Sequence, residues 1–212
     1  QLSFYGNHIY DRVIPEDHFL KLLNKAVDFS FVNELCRDVY TPDFGRPAYE
    51  PEMMFNIIFL QFLYDVSDRR IEEEVNFNLV LKWFVGLAVD ESPPDSSSLT
   101  RFRDRLGEEL FTNIFNQIVE IAREKGLVSV GSSIAGSTDV KAKIERKLAE
   151  LKRFHRLKET RYWSPAKIAI QFTMTAIACN LKRIVKLLFH QGCLGSSRPG
   201  GFHQGITVPI LA

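Results

Sequence analysis

The chain has 212 residues with 27 Lys+Arg against 26 Asp+Glu, and an aromatic share of 12% led by 17 Phe. That length allows one domain with appendages or two small ones, and so apolar a composition excludes intrinsic disorder. The near-neutral total hides two opposed parts, since residues 1–138 carry 13 Lys+Arg against 22 Asp+Glu while 139–212 carry 14 against 4.

In chain order, residues 1–14 read as an N-terminal tail. Pro15, with Glu16 and Asp17 behind it, places acids at a helix start, and Phe19, Leu22, Leu23, Ala26 and Val27 follow at helical spacing. A helix from about Pro15 to Val27 is expected, then a short helical piece around Phe31 to Tyr40. Thr41 to Pro51 holds three prolines and a glycine and reads as a loop centred on Gly45-Arg46-Pro47.

From Glu52, the residues Met53, Met54, Ile57, Ile58, Leu60, Phe62 and Leu63 are apolar nearly all round, which predicts a helix buried on most sides at the hub of the core. Ser67 should cap a short helix through Asn76, and Leu79 to Leu87 should form another, anchored by Trp83 and Phe84 and ended near Gly86. Pro93-Pro94 breaks the chain, and Asp95 or a following serine caps a helix whose Leu99, Phe102 and Leu106 face inward.

In that helix Arg101 and Arg105 lie four apart on the opposite face, with Arg103 to one side. A turn followed by such a helix can act as the reading element of a helix-turn-helix; the competing reading is a surface helix whose arginines pair with Asp104, Glu108 and Glu109. Glu108 to Lys125 is a long amphipathic helix stopped by Gly126. Leu127, Val128, Val130 and Ile134 read as a strand leading to Asp139.

Beyond it, Ile144, Leu148, Leu151 and His155 mark one face of a basic helix, and Ser164-Pro165 opens a last long helix with Ile168, Phe172, Ile177, Leu181, Ile184 and Leu188 on its apolar side. The tail over 191–212 has no periodicity and is expected to be disordered. The fold class is therefore mainly α. A helical bundle over 15–126 precedes a remnant over 127–190, made of one short strand and two basic or amphipathic helices.

Cys36, Cys179 and Cys193 are too few and too scattered for a zinc site or a disulfide framework, which suits a reducing cytoplasm. The five histidines show no metal-ligand spacing, and no glycine-rich phosphate loop precedes a helix. No basic stretch leads into an apolar run at the N-terminus, and the apolar stretch Ile168–Leu181 is interrupted by polar residues and falls short of the ~20 residues of a membrane span. A soluble protein without a membrane partner is expected. The basic C-terminal part is suited to neutralising phosphates, which makes nucleic acid its leading partner; a solvated helix face, or a patch that pairs with the acidic half, is the alternative.

Several segments resemble an insertion-sequence transposase of the DDE class, with an N-terminal helical domain ahead of an RNase H-like catalytic domain. Gly45-Arg46-Pro47 to Pro51, Leu63-Tyr64 to Ser67-Asp68-Arg69, and Trp83-Phe84 to Gly86-Leu87 resemble successive blocks of that family. Pro94-Asp95-Ser96-Ser97-Ser98-Leu99 to Phe102-Arg103 resembles another, with Ser96 where histidine is usual. Ser137-Thr138-Asp139-Val140-Lys141-Ala142 resembles the first catalytic strand, which implies Asp139 as a metal ligand and Lys141 as a phosphate neighbour. The helix from Glu145 resembles the final signature, a glutamate followed seven residues later by lysine, here Lys152.

The resemblance implies Asp139 and Glu145 as catalytic and metal-binding residues, Mg²⁺ as the cofactor of intact relatives, and DNA element ends as the partner, in the cytoplasm at the nucleoid. Cations expected to face DNA are Arg101, Arg103, Arg105, Lys141, Arg146, Lys147, Lys152, Arg153 and Arg156. A second copy of the chain, or an intact transposase, is the protein partner it suggests.

The departure lies in spacing. Asp139 and Glu145 are six residues apart, whereas intact relatives separate them by most of a sheet that also brings a second aspartate. Two-metal phosphoryl transfer needs ligands converging from rigid elements on ions ~4 Å apart, and six residues cannot supply them. An in-frame internal deletion is the expectation, with either no metal bound or one ion shared, and with Ile168 to Phe189 left little to cover. Taken without the resemblance, Asp139 is a strand-end turn residue and Glu145 a first-turn helix acid.

Overall fold

The computed structural model describes residues 4–39, 49–127, 162 and 164–189. Its elements are α1 (Phe4–Val13), α2 (Phe19–Ala26), α3 (Phe31–Leu35), α4 (Pro51–Tyr64), α5 (Asp68–Phe77), α6 (Leu79–Val85), α7 (Ser96–Glu124) and α8 (Pro165–Phe189). Among the described residues there is no strand, so the mainly α expectation holds. The strand expected before Asp139 and the basic helix after it lie outside the described residues, as does the C-terminal tail.

The hub is α4. Pro51 sits in its first turn, and every residue from Met54 to Leu63 is buried, Asn56 and Gln61 included. A helix apolar on all sides can be stable in water only if others wrap it, and α3, α5, α6, α7 and α8 all pack on it. Phe29, from the α2–α3 connection, meets Phe55, Phe59 and Phe84 with ring centroids 5.9–6.3 Å apart, the last of them edge to face at 78°.

Helix ends follow local chemistry. The Ser67 hydroxyl accepts from the Arg70 amide, the Asn78 carbonyl oxygen from those of Val80 and Leu81, and Gly86 ends α6 at φ 82°. Gly107 breaks α7 into two helical pieces, its φ of 65° and ψ of −177° lying in backbone space that only glycine occupies readily. This is the division expected between Leu106 and Glu108.

Three expectations are corrected. The N-terminal segment is not a tail: α1 is a helix whose Tyr10 is fully buried and donates its hydroxyl to Leu87 O at 3.0 Å. Helix α2 starts at Phe19 instead of Pro15, because His18 supplies the cap through Nδ1 to the Leu20 amide.

The third concerns α8, which has a great deal to cover. Ile170, Met174, Ile177, Ala178, Leu181, Ile184 and Val185 are buried against α2, α4 and α7 in one continuous core, while Phe172 and Leu188, expected inward, are 45% and 37% exposed. By length and composition α8 could cross a membrane, but half of its most apolar window is buried in this core, together with Gln171 and Thr175. That is the position of a core helix in a bundle.

Candidate nucleic-acid interface

The start of α7 is fixed from three sides. Lys82, buried on α6, donates its ammonium to Val89 O and Glu91 O at 2.7 Å each, which shapes the loop ahead of Pro93-Pro94. Glu72 of α5 accepts from the Ser96 amide at 2.8 Å. Asp95 caps the helix, accepting from the Ser98 amide at 2.9 Å, and the bonds from the Ser97 hydroxyl and the Ser98 amide hold its carboxyl down at about 2.

From this start Arg101 and Arg105 reach the surface. Arg101 folds back, donating to Ser97 Oγ at 2.8 Å with Asp95 3.9 Å away. Asp104, Glu108 and Glu109 are exposed on the same stretch, so the face is of mixed sign. Asp104 pairs with Lys167 of α8 at 2.8 Å, one instance of the basic half pairing with the acidic half.

Arg103 does not face solvent as expected. It is 3% exposed, ion-paired with the Asp68 carboxylate and donating to Gln61 Oε1 at 3.1 Å. Its Cζ lies over the Tyr162 ring, 5.5 Å from the centroid. The reason is periodicity: positions 99, 102, 103 and 106 form one inward stripe, so Arg103 shares the face of Leu99, Phe102 and Leu106. That stripe was the available signal, and the charge of the residue masked it. Asp68, Gln61 and Tyr162, which build its surroundings, carried no such signal.

Asp139, Lys141, Glu145, Arg146, Lys147, Lys152, Arg153 and Arg156 lie outside the described residues, so no geometry joins them to Arg101 and Arg105. Among the described residues no group of three or more His, Cys, Asp or Glu side chains is placed to hold a metal ion.

A helical bundle whose α7 breaks at Gly107 and packs against α8 is the frame on which the likenesses to known proteins fall. A family model described as Transposase domain (DUF772) matches residues 8–105, and one described as Transposase DDE domain matches residues 108–185. The chain belongs to the insertion-sequence DDE transposases. The boundary between the two matches falls at the Gly107 break, although the core runs across it.

The uncharacterized protein ORF8 in the nfe locus of Rhizobium meliloti is 27% identical over 118 residues, which cover 55% of this chain and 56% of that protein. The chain thus spans little more than half the length of that relative. No solved structure matches it.

Proposed function

We propose that this chain is a transposase shortened inside its catalytic part, which does not cut DNA on its own and in which Asp139 and Glu145 are what remains of the Mg²⁺-binding set. The observation that carries this reading is the separation of those carboxylates by only six residues. Phosphoryl transfer on two metals requires carboxylates held rigidly on converging elements, and a spacing of six residues leaves no chain for the strands that would hold them. Incubated with Mg²⁺ and supercoiled DNA bearing the element ends, the purified chain is expected to leave the DNA uncut. Nicking that disappears in Asp139→Ala overturns the reading.

The excess of 14 Lys+Arg over 4 Asp+Glu beyond residue 138 favours a second role, a DNA-binding or dimerising fragment that regulates an intact transposase. The cations proposed for it are Arg101, Arg105, Lys141, Arg146, Lys147, Lys152, Arg153 and Arg156; Arg103, buried and ion-paired, is not among them. Contacts to phosphates release counterions, so its affinity for duplex DNA falls steeply as salt rises. Affinity independent of salt argues against that role.

A further inference from the structure

A buried cation ties together the two stretches that match separate transposase families. Arg103 and Asp68 belong to the stretch 8–105, Tyr162 and Lys167 to the stretch 108–185. In the plane of its guanidinium, Arg103 pairs with Asp68 and donates to Gln61 at 3.1 Å and Thr100 Oγ1 at 3.4 Å; the Gln61 amide also donates to Asp68. Tyr162 sits over Arg103 from the other stretch, and the adjacent Asp104 holds Lys167 at 2.8 Å.

Only a guanidinium fills both roles at once. Its donors lie in a flat fork that suits the carboxylate and amide, and its faces remain available to a ring, whereas an ammonium is a strongly hydrated point charge. The first buried residue of α8 is Ile170, and residues 164–169 ahead of it are half-buried or exposed. Tyr162 and Lys167 are placed where this start of α8 meets α7.

We propose that Arg103 is a positioning residue that latches the start of α8 onto the α5–α7 corner, so that α8 acts as a strap whose first turns open ahead of the rest of the fold when Tyr162 and Arg103 part. The inference is independent of whether the chain cuts or binds DNA. If α8 begins as a strap, its first turns exchange through a partial opening that leaves α4 folded; if it does not, they exchange only when the whole bundle opens.

Native-state hydrogen exchange on the whole chain separates the two. In the native chain residues 165–172 are expected to exchange at least tenfold faster than residues 54–63 of α4 and with a weaker dependence on added urea, and Tyr162→Leu and Arg103→Lys are each expected to speed residues 165–172 at least tenfold further. Combining them should add little to either alone, because both break the same contact. Tyr162→Phe, which keeps the ring over Arg103, should stay closer to the native chain than Tyr162→Leu. The proposal is overturned if residues 165–172 of the native chain exchange at the rate and with the urea dependence of α4, if Tyr162→Leu leaves residues 165–172 protected, or if the two effects multiply. Should Arg103→Lys fail to fold, the contrast between Tyr162→Leu and Tyr162→Phe decides the matter by itself.

Discussion

Two charged residues eight positions apart on α7 show how little sequence distance says about environment. Arg103 lies in the core and Asp95 at the surface, and each is set by its immediate partners. For Asp95 the consequence is a dependence on acid. Its folded carboxyl titrates at about 2, held there chiefly by the Ser97 hydroxyl and the Ser98 amide, while an unfolded aspartate titrates at about 3.9. The unfolded state therefore binds the proton first as pH falls. The contribution of the cap is full above pH ~4 and is lost as pH drops toward 2. Asn caps helices as well as Asp but does not titrate. Asp95→Asn should therefore flatten the curve of unfolding midpoint against pH between about 4 and 2. The slope will not vanish, because Glu16, also lowered to about 2 by Lys21 and Lys25, titrates in the same window. Circular dichroism melts at several pH values measure it, and a slope identical to the native chain's would mean that the cap carries no linkage.

At the scale of elements, Gly107 is the position where one residue type decides the path. A Cβ there would meet nothing within 4 Å, so the whole cost of Gly107→Ala comes from backbone geometry. Holding an alanine in that region costs about 1–3 kcal/mol, and the same loss is expected in urea unfolding of this variant; a neutral effect would mean that the break can be moved or straightened. Breaks and caps of this kind were legible in the sequence because they depend on one or two local residues: Ser67, Asp95, Gly86 and Gly126 all end helices where expected. Faces were less legible. Helix α8 is apolar on more than one side, and the inward stripe through Ile170, Met174, Ile177 and Leu181 was selected by α7, α4 and α2, which the sequence of α8 does not describe. Helix α1 was missed for a related reason, since its Tyr10 is buried with a partner, Leu87, far along the chain. Of the candidate site, the exposure of Arg101 was readable from spacing, and the burial of Arg103 depended on Asp68 and Gln61 from other helices.

For the whole molecule, the question is whether α1–α7 are complete without α8, which lies almost wholly in the stretch matched by the DDE-domain model. The core answers through its composition. Phe111, Ile114 and Ile118 of α7 and the wall of α4 belong to the same buried cluster as Met174, Ile177, Ala178 and Leu181 of α8. Removing α8 uncovers a contiguous apolar groove, and soluble monomers rarely tolerate exposed patches of more than a few hundred Å². Each large side chain lost from a core also costs roughly 1.5–3 kcal/mol of burial, while a domain of this size has only about 5–15 kcal/mol in hand. A chain ended after residue 127 is thus expected to lose cooperative unfolding and to bind an apolar dye that the full chain ignores. The measurement is a pair of urea titrations followed by far- and near-ultraviolet circular dichroism. Coincident, sharp transitions in the shortened chain would mean that α1–α7 fold alone and that α8 merely docks. Broad and separate ones would mean that α1–α7 and α8 form one folding unit.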